Sequence, residues 1–322
     1  MFAKKRISIV LLLFTLVALA LAGCNSEQSS FPEKNINIIV PFGTGGGSDQ
    51  LARVLGDLVD KEITPSVVVA NKVGASGAVG MAEIAKAKPD GYTVLIMTAN
   101  ISTLKWTGNT ELTYEDFQPV CAVNYDAPAL VVRSDSPWKT YNEFADEAKS
   151  RRLKLGTGAP GGLWAAGALA LDKREGLNLN IITQEKGGAP AAVMLLGEHV
   201  DAIVLSPNEA ASQLENKDFR ILGIMGPDRN ILDMEGPTFS ELGVDLDIRS
   251  PKGFLVPKNT PADVVESLEK LFKKAYESET YQDYNKKTGT NAIWMGTKEY
   301  TDYLADELNK YRDLLKETGM TK

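Results

Sequence analysis

Glycine gathers at four points where a strand-length apolar run gives way to a helical pattern. They are Gly43-Thr44-Gly45-Gly46-Gly47-Ser48, Gly74-Ala75-Ser76-Gly77-Ala78-Val79-Gly80, Gly156-Thr157-Gly158-Ala159-Pro160-Gly161-Gly162 and Lys186-Gly187-Gly188-Ala189-Pro190. At a helix start, a turn without side chains leaves backbone N–H groups open at the positive end of the helix dipole, which suits an anion. A carboxylate is all acceptor, so the hydroxyls of Thr44, Ser48 and Thr157 add to the donors and no arginine is required. Any one such turn is also explained by backbone permissiveness alone, and Gly74 to Gly80 by close packing of a helix on its sheet.

Other chemistries lack their residues. The single histidine, His199, follows Gly197 and Glu198, and no G-x-S-x-G or H-E-x-x-H accompanies it. A hydrolytic triad has no base, and no zinc site, metal site or catalytic residue is indicated. Gly156-Thr157-Gly158-Ala159-Pro160-Gly161 matches G-x-G-x-x-G, but Glu175, about twenty residues on, precedes Gly176 and closes no second strand. A dinucleotide enzyme is therefore the weaker reading, and no cofactor is called for. Of Trp106, Trp138, Trp164 and Trp294, which a sugar site would use for stacking, only Trp164 lies near a glycine turn.

The turns need a scaffold of buried strands. Apolar runs at Ile36 to Val40, Val67 to Ala70, Thr93 to Thr98, Ala129 to Val132, Leu153 to Gly156, Ala202 to Leu205 and Gly253 to Val256 alternate with helical patterns. Their continuous hydrophobicity predicts buried parallel sheets of an α/β protein, whose strand ends face a ligand crevice. Thr140 with Glu143, and Thr260 with Asp263 and Pro261, read as helix starts. Tyr300, Leu304, Tyr311 and Leu315 place the buried stripe of an outer helix within Thr297 to Glu317. His199 falls in a turn before the strand Ala202 to Leu205.

Lys4, Lys5 and Arg6 precede an apolar run from Ile7 to Ala20, too short to span a bilayer comfortably, which reads as a signal peptide over residues 1–23. Leu21-Ala22-Gly23-Cys24 resembles the bacterial lipobox, so Cys24 is expected to carry the lipid, with residues 24–30 as a flexible tether. Cleavage removes three positive charges and no negative ones, taking the formal charge from −7 to −10. So acidic a chain offers no footprint for nucleic acid. Apart from Cys24 only Cys121 remains, so no intramolecular disulfide supports the fold. A body near 300 residues favours two lobes, each with its own core.

Several blocks, in order and along nearly the whole mature length, resemble the Bug family, the solute receptors of tripartite tricarboxylate transporters. They are Ile38-Ile39-Val40-Pro41-Phe42 with Asp49-Gln50-Leu51-Ala52-Arg53, Asn71 to Gly80, Lys88-Pro89-Asp90-Gly91-Tyr92-Thr93, Tyr114-Glu115-Asp116-Phe117, Lys186-Gly187-Gly188-Ala189-Pro190-Ala191, and Gly253-Phe254-Leu255-Val256-Pro257 before Thr260-Pro261.

The resemblance implies an α/β, two-lobed periplasmic-binding-protein fold of type II, with the ligand cleft between the lobes. Lobe 1 would hold residues 31–122 plus 249–322 and lobe 2 residues 123–248, hinged near Val123 and Ile248. Carried over by residue, Thr44, Gly45, Gly46, Gly47, Ser48, Thr98, Asn100, Thr157, Gly158, Ala159, Lys186, Gly187 and Ser206 would line the cleft. The chain departs from the family at Glu185, where a tyrosine is usual, and at Ser206, where an aspartate is common. Glu185 is either a solvated rim residue or a repulsive charge that favours an amino acid or monocarboxylate over a tricarboxylate. The implied protein is a lipid-anchored monomer on the outer face of the cell membrane. It would pass a di- or tricarboxylate, or an amino acid, to the membrane subunits of a tripartite transporter or to a sensor kinase.

Overall fold

The computed structural model describes residues 31–184, 189–228, 230–231 and 234–321. The expected leader, Cys24, the tether, Glu185, Lys186 and Gly187 lie outside the described residues. Among the described residues no helix is long and apolar enough to cross a membrane.

The first sheet is built from β1 (Ile36–Val40), β2 (Val67–Asn71), β3 (Thr93–Met97), β4 (Phe117–Asp126), β12 (Ser250–Pro257) and β13 (Asn291–Met295), in the order β13-β4-β12-β3-β1-β2. The second holds β5 (Ala129–Arg133), β6 (Leu153–Thr157), β7 (Leu179–Thr183), β8 (Ala202–Leu205) and β9 (Phe219–Ile224), in the order β7-β6-β8-β5-β9. Asn230–Ile231 and Met234–Glu235, β10 and β11, form a short antiparallel pair.

Both faces of each sheet are covered, which is why the strands read as continuous apolar runs. Ile38 and Val40 enter one core with Leu51, Leu55 and Phe254, while Ile39 and Leu95 enter another with Met81, Leu255 and Tyr300. Likewise Leu130, Val132 and Leu155 face Leu171 and Phe144, and Val131 and Ile203 face Leu195 and Leu214.

The expectation of purely parallel sheets is corrected. β1 pairs in parallel with β2 and β3, and β6 with β7 and β8, but β12 runs antiparallel to β3 and β4, β13 antiparallel to β4, and β5 antiparallel to β8 and β9. The reason is topological: β4 leaves the first sheet for β5 after only Ala127 and Pro128, and the chain returns through Ile248 into β12, which must run back beside β4. A polar stretch hid β4 from the apolar-run criterion, since it contains Gln118, Asn124 and Asp126.

The Thr140 capping box forms as read, Glu143 N–H donating to Thr140 Oγ1 at 3.3 Å and Thr140 N–H to Glu143 Oε2 at 2.9 Å. The Thr260 cap does not: Pro261 occupies the N-cap of the helix Ala262–Tyr276, and the Thr260 hydroxyl donates to the Pro257 carbonyl at 2.7 Å. The final helix spans Thr297–Glu317 with its four anticipated apolar residues buried. Its role is larger than that of an outer helix. Tyr300 and Leu304 lie in a core of the first sheet, whereas Tyr311, Leu314 and Leu315 lie in a core of the second. Arg174 grips Glu317 through Nε at 3.0 Å and Nη2 at 2.7 Å, tying the helix end to Leu163–Glu175.

Candidate functional site

β1 delivers its glycine turn to the helix Gly47–Asp60, whose N-cap Gly46 brings no side-chain hydrogen bond. The first amides of that helix therefore lack a local acceptor. Gly45 adopts φ +81°, open to glycine at little cost, and its N–H donates to Asp49 Oδ2 at 2.9 Å. Asp49 also receives Arg53 Nε at 3.1 Å, Arg53 Nη2 at 3.0 Å and Asn71 Nδ2 at 2.9 Å. Arg53 foremost, with Gly45 and Asn71, holds the Asp49 carboxyl at about 2 against the opposing effect of burial. The turn is thus fastened from behind by a buried anion, and its open amides face forward.

Asp49→Ala is expected to cost about 2 kcal/mol at pH 7, because it removes the charge-assisted hydrogen bonds from Arg53 and leaves Gly45 N–H without its acceptor. The Asp49 pKa is depressed on folding, so this stability is present above its ordinary value of 3.8 and is lost as pH falls towards 2. Urea midpoints should differ widely between wild type and variant at pH 7 and converge near pH 2.

β6 repeats the arrangement in the second sheet. Its turn leads into the helix Leu163–Glu175 with Gly162 as an N-cap that has no side-chain hydrogen bond, and Gly161 at φ +75°. The loop is closed by Gly162 N–H to Ala159 O at 3.0 Å and Gln184 N–H to Gly158 O at 2.9 Å. The Gly74 to Gly80 turn serves packing: a Cβ on Gly80 would lie 2.7 Å from Pro41 Cβ, and one on Gly77 2.9 Å from Met97 Cε. Asn100 Nδ2 nonetheless donates to Ser76 O at 2.8 Å, fixing this loop to the cleft wall.

The anticipated residues fall into three contiguous hollows of one cleft. Thr44, Gly46, Gly47, Ser48 and Thr98 line a cavity of ≈ 360 Å³ together with Phe42. Asn100, Gly158 and Ala159 line one of ≈ 630 Å³, with Ser76, Trp164 and Ser250. Ser206 lines one of ≈ 500 Å³, where Ser48, Thr98 and Trp164 reappear beside Asp126, Asn208 and Lys252. Gly45 has its amide turned to Asp49 and borders none of the three. Thr157 is fully buried, its hydroxyl donating to Val204 O at 2.8 Å, and Thr44 Oγ1 donates to Asn71 Oδ1 at 3.2 Å. Lys186 and Gly187 are outside the described residues.

Asp126, Asn208, Glu209 and Lys252 escaped sequence reasoning. One signal was available: Lys252 sits in a strand whose other residues are almost all buried, a place where a lysine needs a partner. His199 lies in its expected turn, its N–H donating to Met194 O at 2.9 Å. Among the described residues no group of three or more His, Cys, Asp or Glu side chains could hold a metal ion.

The family model for the tripartite tricarboxylate transporter family receptor matches residues 51–320. A curated relative, the UPF0065 protein in the gbd 5' region of Cupriavidus necator, is 29% identical over 314 residues, covering 95% of this chain and 94% of its own length. A TctC solute binding protein from Polaromonas superposes with a TM-score of 0.81 at 32% identity, over 89% of this chain and 100% of that one. MatC from Rhodopseudomonas palustris, solved with bound malate, shares the fold at a TM-score of 0.72 and 21% identity, over 88% of this chain and 100% of its own. The family is one of transporter receptors, the Polaromonas protein is a solute binding protein, and the α/β two-lobed type II fold read from the sequence is that of these structures.

Proposed function

Because the chain belongs to the tripartite tricarboxylate transporter receptor family, an extracytoplasmic family of solute receptors, we propose that it captures a small carboxylate in the cleft between its two sheets. The observation that carries this reading is the pair of uncapped helix starts, at Gly47 and Leu163, brought from different sheets to one crevice. Each presents N–H donors and a positive dipole end, the electrostatics a carboxylate requires. Only a closed cleft lets both act on one ligand, so ligand favours closure through its better contacts in that state. The lobes divide near Val123 and Ile248, into residues 31–122 with 249–322 and residues 123–248. Lipid at Cys24 holds the receptor to the membrane, and its partner is the membrane part of a tripartite transporter. The malate held by the Rhodopseudomonas palustris protein of the same fold supports this class of ligand.

Thermal unfolding across carboxylates, amino acids, sugars and nicotinamide nucleotides tests the reading. A cognate carboxylate at a hundredfold its Kd adds about 2.7 kcal/mol, a rise of about 5 °C for a chain of this size. Stabilisation by sugars or nucleotides alone would sink it.

A further inference from the structure

Lys252 is the anomaly of the cleft. It lies on β12 beside β4, in register with Asn124, where the two strands that link the sheets run together. Only 6% of the residue is exposed, yet it borders the ≈ 500 Å³ hollow shared with Ser48, Thr98 and Ser206. A desolvated ammonium is costly unless paired and hydrogen-bonded. Its Nζ donates to Asp126 Oδ2 at 2.7 Å. The other oxygen, Oδ1, accepts from Asn208 Nδ2 at 3.3 Å.

The two ends of this cluster differ in what they still offer. Each Asp126 oxygen already accepts one hydrogen bond and Lys252 offsets its charge, so the carboxylate attracts an incoming cation less than a free one would. Lys252 has three N–H groups and, among the described residues, one acceptor, leaving donors directed at a space where a ligand would sit. Lys287 borders the same hollow but stands exposed, where solvent and salt screen its charge. Asp126 and Asn208 orient the lysine, and Asp126 offsets its charge when the cleft is empty.

We propose that Lys252 determines specificity: its ammonium receives the far carboxylate of a dicarboxylate whose near carboxylate rests on the uncapped amides at Gly47 and Ser48. This rests on the carboxylate-capture reading and narrows it. A monocarboxylate leaves the remaining N–H groups of the Lys252 ammonium without a ligand acceptor, and the ammonium of an amino acid meets in Asp126 a carboxylate whose charge Lys252 already offsets. Discrimination through an unpaired buried donor is large, of the kind that separates ligands differing by one polar group.

The test is isothermal titration of the purified protein with malate, succinate, butyrate and aspartate, repeated for Lys252→Met and for the double variant Lys252→Met/Asp126→Asn. Should the single variant fail to fold with Asp126 unpaired, the double variant, which removes both charges, carries the comparison. The wild type is expected to bind a dicarboxylate roughly a hundredfold more tightly than butyrate, and the variants to lose that preference while holding butyrate as before. Equal binding of dicarboxylate and butyrate by the wild type, tighter binding of aspartate, or a preference that survives in the variants would overturn the role of Lys252 and leave carboxylate capture standing. Failure of every carboxylate to bind would bring down both.

Discussion

Glutamine in place of Glu307 is expected to stabilise the protein by on the order of 3 kcal/mol at pH 8 and to change nothing at pH 4. Glu307 lies at mid-length in the final helix, 3% exposed, between the core of the first sheet and that of the second. Ser102 Oγ donates to its Oε2 at 2.8 Å, and its Oε1 has no hydrogen-bond partner. Burial pushes the carboxyl up from 4.5 to about 7, against the smaller lowering influences of Ser102, Tyr303, Lys310 and Tyr311. Folding therefore favours the protonated acid. The unfolded chain gives up this proton near 4.5 and the folded one only near 7, so stability declines across that interval and the full penalty persists above it. Glutamine reproduces the neutral acid and keeps an acceptor for Ser102. Urea unfolding at pH 4, 6 and 8 checks the claim: equal wild-type and variant curves at pH 8 would refute a buried ionised Glu307.

Alanine at Gly253 is expected to cost about 3 kcal/mol and to lower the melting temperature by about 6 °C or more. Gly253 sits on β12 between Met97 of β3 and Ala122 of β4. A Cβ there would meet the Tyr300 ring, with Cζ at 2.4 Å and Cε1 and Oη at 2.5 Å. Tyr300 is fully buried and has nowhere to move without displacing the helix that carries it. Space and not backbone angle makes this glycine necessary, so Gly253→Ala/Tyr300→Leu should recover part of the loss, a coupling that differential scanning calorimetry of the single and double variants measures. Additive losses would show that the clash with Tyr300 is not the cause.

Local chemistry made much of the molecule legible. Ile36–Val40 and Ala202–Leu205 form with the anticipated bounds, since buried strands leave an unbroken apolar run. The Thr140 box and the final helix follow from contacts three and four residues apart. Both glycine turns were legible for the same reason, a strand-to-helix turn being a property of a few adjacent residues, whereas the structure alone shows that glycine is the N-cap and that no side chain caps either helix. The strands missed were those in which polar residues interrupt the run, as Asn124 and Asp126 do in β4.

The sequence by itself determined the unbroken apolar strands, the final helix and where the glycine turns fall, because each depends on neighbours along the chain. Only the tertiary structure decided which donors remain for a ligand. Thr157 and Gly45 turn out to serve Val204 and Asp49, partners that a strand pairing and a folded-back loop supply. Lys252 meets Asp126 across 126 residues, and Ser102 meets Glu307 across 205. A charged residue read alone is by default solvent-exposed, and only packing of distant segments around it turns that charge into a buried, oriented donor or a shifted acid.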